Sequence, residues 1–182
     1  EVAPARRIRN TAAEQLDLLP ADASPRVPDR LFFGLGRKRR IDRLLGGVAD
    51  GYERILLDCP PGLAETGEQV LRAADIVIVP VIPSPRSRRS LGDVVDFLDR
   101  NGLRKGALLP VYNMVEHGRT MHREALEENP DWPVIPMASA VEAMASRHDA
   151  ITAFAPRSPA ATALSGLWEA IERRFQRRRR DD

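Results

Sequence analysis

Asp58, Cys59, Pro60, Pro61 and Gly62 follow directly on the apolar run Ile55-Leu56-Leu57, and that order of residue types suits a phosphate-bearing ligand. An aspartate at the carboxyl end of a buried strand faces the ligand edge of an open parallel sheet. There its carboxylate can hold Mg²⁺, directly or through water, against a nucleotide phosphate. Two prolines stiffen the turn that follows, and a glycine lets a backbone N–H approach a phosphate or an attacking water closely. The plainer use of the same aspartate is to cap the next turn, and these five residues by themselves leave both uses open. Cys59 is the sole cysteine. A disulfide within the chain is therefore excluded, a reducing cytoplasm fits, and a small residue lodged beside a strand end is a better reading than a catalytic thiol. His117 and His122 are five apart across a predicted loop-to-helix junction and His148 is distant. With no second cysteine they form no metal set and read as surface histidines.

Positioning Asp58 requires a strand over 54–58 and neighbours for it. Residues 1–10 are polar and charged, 16–19 (LDLL) form a short strand candidate stopped by Pro20, and 21–30 read as a loop. Across 29–48 apolar residues recur at helical spacing, interrupted at Gly34-Leu35-Gly36, so one helix and two helices fit equally. After Gly62 the pattern predicts a helix over 64–74 and a continuous apolar strand over 75–82, of the kind covered on both faces. Next come a turn over 84–90 with three arginines, an amphipathic helix over 91–98 ending at Asn101-Gly102, and a strand over 107–115. A helix over 120–128, a short strand over 134–137 and helices over 141–147 and 159–175 complete the chain, Trp168 and Ile171 facing inward. Strands alternating with helices at this spacing predict a mostly parallel sheet.

The 182 residues, 43% of them apolar, suffice for one substantial core and fit one domain better than two. The run 76–82 contains Pro80 and is far too short to span a bilayer, and no basic-then-apolar leader opens the sequence, which reads as that of a soluble protein. The net charge of +2 is unevenly placed. Six arginines against Asp181 and Asp182 make 173–182 +4 and leave the remainder near −2, so the basicity is mainly a property of the tail. Only Lys38 and Lys105 are lysines among 28 basic residues, a bias that weakens any reading of arginine in particular.

Several collinear segments resemble the ParA/MinD family of deviant-Walker P-loop ATPases. YERILLDCPPGL (52–63) is similar to the family's Walker B strand and switch II, and LRAADIVIVPVIPSPRSRRSL (71–91) to its next strand and the helix after it. LDLLPA (16–21) resembles a segment ahead of the Walker B helix, and the span 134–171, with P-x-S-x-A-A at 156–161, resembles the C-terminal part. The resemblance implies a Rossmann-like, three-layer α/β P-loop NTPase fold, with one domain over 1–172 and a basic tail over 173–182. It implies Mg²⁺ coordination by Asp58, a γ-phosphate-sensing switch at Pro60, Pro61 and Gly62, adenine recognition by the Asn113 amide, and backbone contacts to the base at Pro136 and Met137. It further implies ATP-dependent homodimerisation, slow hydrolysis stimulated by a ParB-like or other protein partner, and a cytoplasmic, nucleoid-associated role in plasmid or chromosome partitioning or cargo positioning. Non-specific DNA contact would fall to Arg37–Arg40, Arg86, Arg88 and Arg89, and to Arg177, Arg178, Arg179 and Arg180, with an affinity falling steeply with salt. A MinD-like membrane helix is disfavoured, since Phe175 is the only large apolar residue after Ile171.

The family's phosphate-binding loop has no counterpart in these residues. No G-x-x-x-x-G-K-[ST] pattern occurs, and GLGRKRR (34–40) has the wrong spacing and no Ser or Thr after its lysine. That loop's N–H groups and lysine supply most phosphate binding, so this chain alone is expected to bind ATP weakly or not at all. An N-terminally incomplete ATPase is the expectation, with an exposed apolar sheet edge that favours aggregation. The alternative is a non-catalytic scaffold that keeps the fold for DNA or protein binding.

Overall fold

Apolar residues in the second half of the chain follow strand and helix periods closely enough to build a layered core, and that core carries part of the candidate site. The computed structural model describes residues 4–20, 41, 45–59, 65–103 and 108–181. Two compact units divide at Ala73/Ala74.

In the first unit β1 (Arg9–Asn10) pairs antiparallel with β2 (Asp17–Leu18), in register Arg9↔Leu18 and Asn10↔Asp17. Thr11 closes the connection by donating its hydroxyl to the Leu16 carbonyl at 2.7 Å and accepting the Ala13 N–H at 3.2 Å. Such local side-chain bonds are what Thr offers a turn. The Tyr52 hydroxyl donates to Asp17 Oδ2 at 2.7 Å, tying β2 to the segment that leads to Asp58. Helix α1 (Glu65–Ala73) carries a Glu68–Arg72 ion pair at 2.8 Å, the favourable acid-before-base order at i,i+4. Of the helical pattern at 29–48, only Ile41 and residues 45–48 lie among the described residues, with Ile41, Leu45 and Gly46 helical.

The expected buried strand at 54–58 is corrected by the structure. Residues 52–59 lie outside helix and strand, and Ile55, Leu56 and Leu57 are 41%, 69% and 37% exposed. Among the described residues no strand runs beside them. A strand needs a ladder partner whatever its composition, and among the described residues this run has none.

The second unit is a parallel sheet of β3 (Val77–Val81), β4 (Leu108–Val115) and β5 (Val134–Pro136), in that order. Helix α2 (Pro85–Arg100) joins β3 to β4, and α3 (Thr120–Glu128) joins β4 to β5. Side chains alternate between two faces. Val81, Tyr112, Val115 and Ala125 form one core cluster with Val79, Leu91, Trp132 and Val134 packed on it. Leu109, Val111, Ile135 and Ile171 form the other, against Leu164, Leu167 and Phe175 of α6 (Pro159–Asp181). Helix, sheet and helix thus make three layers, each fully buried Val, Leu or Ile contributing roughly 1.5–3 kcal/mol. A third cluster, Ile151, Ala160 and Ala161, closes α4 (Ser139–Arg147) and α5 (Ile151–Phe154) onto α6. Pro110 precedes the point where β5 begins pairing, at Tyr112, so its missing N–H breaks no β4–β5 bond.

Several expectations shift. The turn expected at 84–90 belongs to α2, because Ser84 caps it by accepting the Ser87 N–H at 3.3 Å and Pro85 opens its first turn. Its other end is as expected: Gly102, at φ 64°, ends the helix with Leu103 N–H on the Leu98 carbonyl at 2.8 Å and Gly102 N–H on that of Asp99 at 3.1 Å. Helix α6 runs past 175 to Asp181, since arginine is a good helix former. Ile171 is buried, whereas Trp168 is 43% exposed, one position off the inward stripe of Leu164, Leu167 and Ile171. His122 is buried at 3% exposure, not on the surface, and its Nδ1 is satisfied there by accepting the Glu116 N–H at 3.0 Å. Among the described residues no helix is long and apolar enough to cross a membrane.

Candidate functional site

Asp58 is exposed, and among the described residues its carboxylate makes neither hydrogen bond nor ion pair. Its neighbour Cys59 is exposed too, with Sγ 3.5 Å from the Leu57 carbonyl. Local desolvation, and then the negative charge of Asp58, push the Cys59 thiol above its ordinary range. A thiol held protonated in this way is a poorer nucleophile than that of an unperturbed cysteine; contrary to expectation the residue is not lodged beside a strand end, since 52–59 form no strand. Pro60, Pro61 and Gly62 lie outside the described residues, as do Arg37–Arg40.

In the second unit the ligand edge is the carboxyl end of the parallel strands. Asn113, Pro136 and Met137 all sit there, Asn113 in the last turn of the β4 pleat, Pro136 at the end of β5 and Met137 just after it. The half-buried Asn113 side chain makes no hydrogen bond among the described residues. The Met137 N–H is engaged by the Val115 carbonyl at 2.9 Å, so a backbone contact from Met137 to a base would have to use its carbonyl.

Beside Asn113 the pairing of β4 with β5 is irregular. Tyr112 pairs with Val134 and Val115 with Pro136, three steps along one strand against two along the other. Met114 sits in this bulge at φ 56°, a left-handed conformation that side chains other than Gly and Asn rarely adopt. Backbone and side-chain bonds hold both flanks. Tyr112 N–H donates to the Pro133 carbonyl at 2.8 Å, and the Tyr112 hydroxyl to that of Ala125 at 2.7 Å. Beyond the bulge the Glu116–Arg119 pair at 3.1 Å and the His122 bond fix the β4–α3 turn. Sequence reasoning missed this bulge, for Met carries no left-handed preference, and it missed His122, whose burial only the fold reveals.

The arginines of α2 are exposed, and Arg88 pairs with Glu128 of α3 at 2.6 Å. No acid occupies the first turn of α2, where cations oppose the helix dipole. On α6, Arg177 is exposed and Arg178 to Arg180 continue the helix. Among the described residues no three His, Cys, Asp or Glu side chains cluster as a metal site. Mg²⁺ characteristically takes one or two protein carboxylates plus substrate phosphates, so an exposed Asp58 with no partner among the described residues fits that ion with a nucleotide better than an all-protein cage.

A family model described as an AAA domain matches residues 2–105. The chromosome-partitioning ATPase Soj of Thermus thermophilus is 30% identical over 138 residues, which cover 70% of this chain and 55% of that protein. The cell division ATPase MinD of Pyrococcus furiosus superposes with a TM-score of 0.71 at 22% identity, covering 94% of this chain and 71% of that one. The septum site-determining protein MinD of Pyrococcus horikoshii, solved with Mg-ADP, gives 0.70 at 20% identity, covering 93% and 69%. At such identities the structural likeness is one of fold. The chain spans about half the length of the curated relatives it matches.

Proposed function

The chain belongs to the ParA/MinD family of AAA-domain P-loop ATPases and has their α/β fold, and from that premise we propose that the intact protein is a Mg²⁺-ATP-binding, slowly hydrolysing ATPase that partitions chromosomes or plasmids or positions another cargo. What carries the reading is the family match over 2–105, which contains the Asp58–Gly62 stretch. The exposed carboxylate of Asp58, without a hydrogen bond or ion pair among the described residues, supports it, as does the Mg-ADP bound to the Pyrococcus horikoshii relative.

In this reading Asp58 holds Mg²⁺, directly or through water, and the ion neutralises charge on the phosphates. Pro60, Pro61 and Gly62 respond to the γ-phosphate. Asn113 hydrogen-bonds the adenine edge, with Pro136 and Met137 alongside. ATP binding brings two copies together, a ParB-like or comparable partner stimulates turnover, and Arg86, Arg89 and Arg177 to Arg180 contact DNA phosphates on the nucleoid in the cytoplasm.

The test is steady-state ATP hydrolysis by the natural-length protein with and without double-stranded DNA, beside Asp58→Ala. Slow Mg²⁺-dependent hydrolysis that falls to background in the variant is expected. Equal background rates in both would remove the ATPase and leave the scaffold reading.

A further inference from the structure

Packing does not require the extra residue in β4. Tyr112 and Val115 belong to the same core cluster, yet three steps along a regular strand would place them on opposite faces. A strand one residue shorter would put them two apart and satisfy that cluster without any left-handed residue. The protein instead keeps Met114 at φ 56° in the bulge and 41% exposed. Strain of this kind persists only where the surroundings impose it, and it concentrates at functional positions.

Here the surroundings do impose it. The Tyr112 N–H bond to Pro133 on one side, and the Val115 carbonyl bond to Met137 N–H on the other, are 2.8 and 2.9 Å long. The Glu116 N–H bond to His122 lies just beyond. Between these anchors Asn113 and Met114 are the two residues of β4's carboxyl half that join no core cluster. One of them bears an amide with a donor and an acceptor side by side and no partner among the described residues.

We propose that Met114 is a positioning residue for base selection: its left-handed bulge presents the Asn113 amide beyond the carboxyl edge of the sheet, where Oδ1 accepts from the 6-amino group of an adenine and Nδ2 donates to a neighbouring ring nitrogen. A planar amide pairs with adenine in this bidentate way. The inference rests on the adenine role given to Asn113 above and adds what sets that side chain's place.

The experiment compares binding of ATP and of purine riboside triphosphate, which lacks only the 6-amino group, to the natural-length protein, with thermal unfolding measured beside it. Wild type should prefer ATP by about tenfold, the loss of one well-made hydrogen bond at a desolvated site. Asn113→Ala should bring the ratio near one. Deleting Met114 should do the same while the unfolding midpoint stays level or rises, and Met114→Gly, which accepts the left-handed conformation, should keep the wild-type ratio. A wild-type ratio in the deletion variant overturns the proposal. Should that variant not fold, Met114→Val reads the same quantity, because a β-branched residue resists positive φ, and an unchanged ratio there overturns it equally. An unchanged ratio in Asn113→Ala, or binding of neither nucleotide by wild type, removes the adenine reading and this inference together.

Discussion

Tyr112 offers the sharpest test of how the sheet holds its ligand edge. The residue is 1% exposed, its hydroxyl donates to the Ala125 carbonyl at 2.7 Å and accepts from Asn129 Nδ2 at 3.1 Å, and its ring lies 4.8 Å from that of Trp132. Tyr112→Phe keeps the ring contact and removes both bonds. Orphaning a buried polar group costs about 1–3 kcal/mol. The Ala125 carbonyl, however, still receives the Asn129 N–H at 3.2 Å, and the Asn129 side chain is only half-buried. The expected loss therefore falls at about 1–2 kcal/mol. For a chain of this size that lowers the midpoint by roughly 2–8 °C. Urea and thermal unfolding followed by tryptophan fluorescence measure it directly. A change within about 0.3 kcal/mol would refute the claim that this hydroxyl ties β4 to α3; a loss above about 3 kcal/mol would mean that the ring had moved as well.

Three further outcomes are expected. Gly102→Ala should cost about 1 kcal/mol, seen as a lower urea midpoint, from backbone conformation alone, since φ is 64° and a Cβ there would meet nothing within 4 Å. The hydrogen bond to Asp17, followed by desolvation and the charge of Asp17, raises the Tyr52 pKa above 10.0. The bond's contribution is therefore present at neutral pH, is lost as pH climbs through the raised value, and vanishes as a pH effect in Tyr52→Phe, all of which absorbance titration of the phenol against unfolding can follow. Alkylation of Cys59 at pH 8 should be slow and should quicken in Asp58→Asn, where one of the two causes holding the thiol protonated is gone; an unchanged rate would assign the whole effect to desolvation.

The second unit was largely legible because each of its elements carries its own period. Helix 120–128 emerges with the bounds its apolar spacing predicts, and β3, β4 and β5 each fall within the apolar run read for them. The start of α2 is written in Ser84-Pro85, a cap followed by a residue suited to a first turn, although the polar, arginine-rich stretch 84–90 also has the composition of a turn. The apolar run at 54–58 shows the limit of pattern reading: composition supplies the propensity and only a neighbouring strand supplies the ladder. Trp168 shows another, since one position of helical phase separates it from the inward stripe. Within the candidate site, Asp58 could be singled out by residue type and its place after an apolar run, and Asn113 only through the family resemblance. The Met114 bulge could not, because Met carries no left-handed preference and the bonds that hold the bulge, Tyr112 N–H to the Pro133 carbonyl and Met137 N–H to the Val115 carbonyl, join segments about twenty residues apart in sequence.

The central claim is that Asp58 holds a divalent ion for a bound nucleotide. ATP affinity of the natural-length protein, measured by calorimetry with and without Mg²⁺ in wild type and Asp58→Asn, tests it most directly. The account predicts that Mg²⁺ tightens ATP binding in wild type by at least about tenfold, 1.4 kcal/mol, and that Asp58→Asn loses most of that gain. An identical Mg²⁺ effect in the two proteins, or no ATP binding by wild type under either condition, would contradict it.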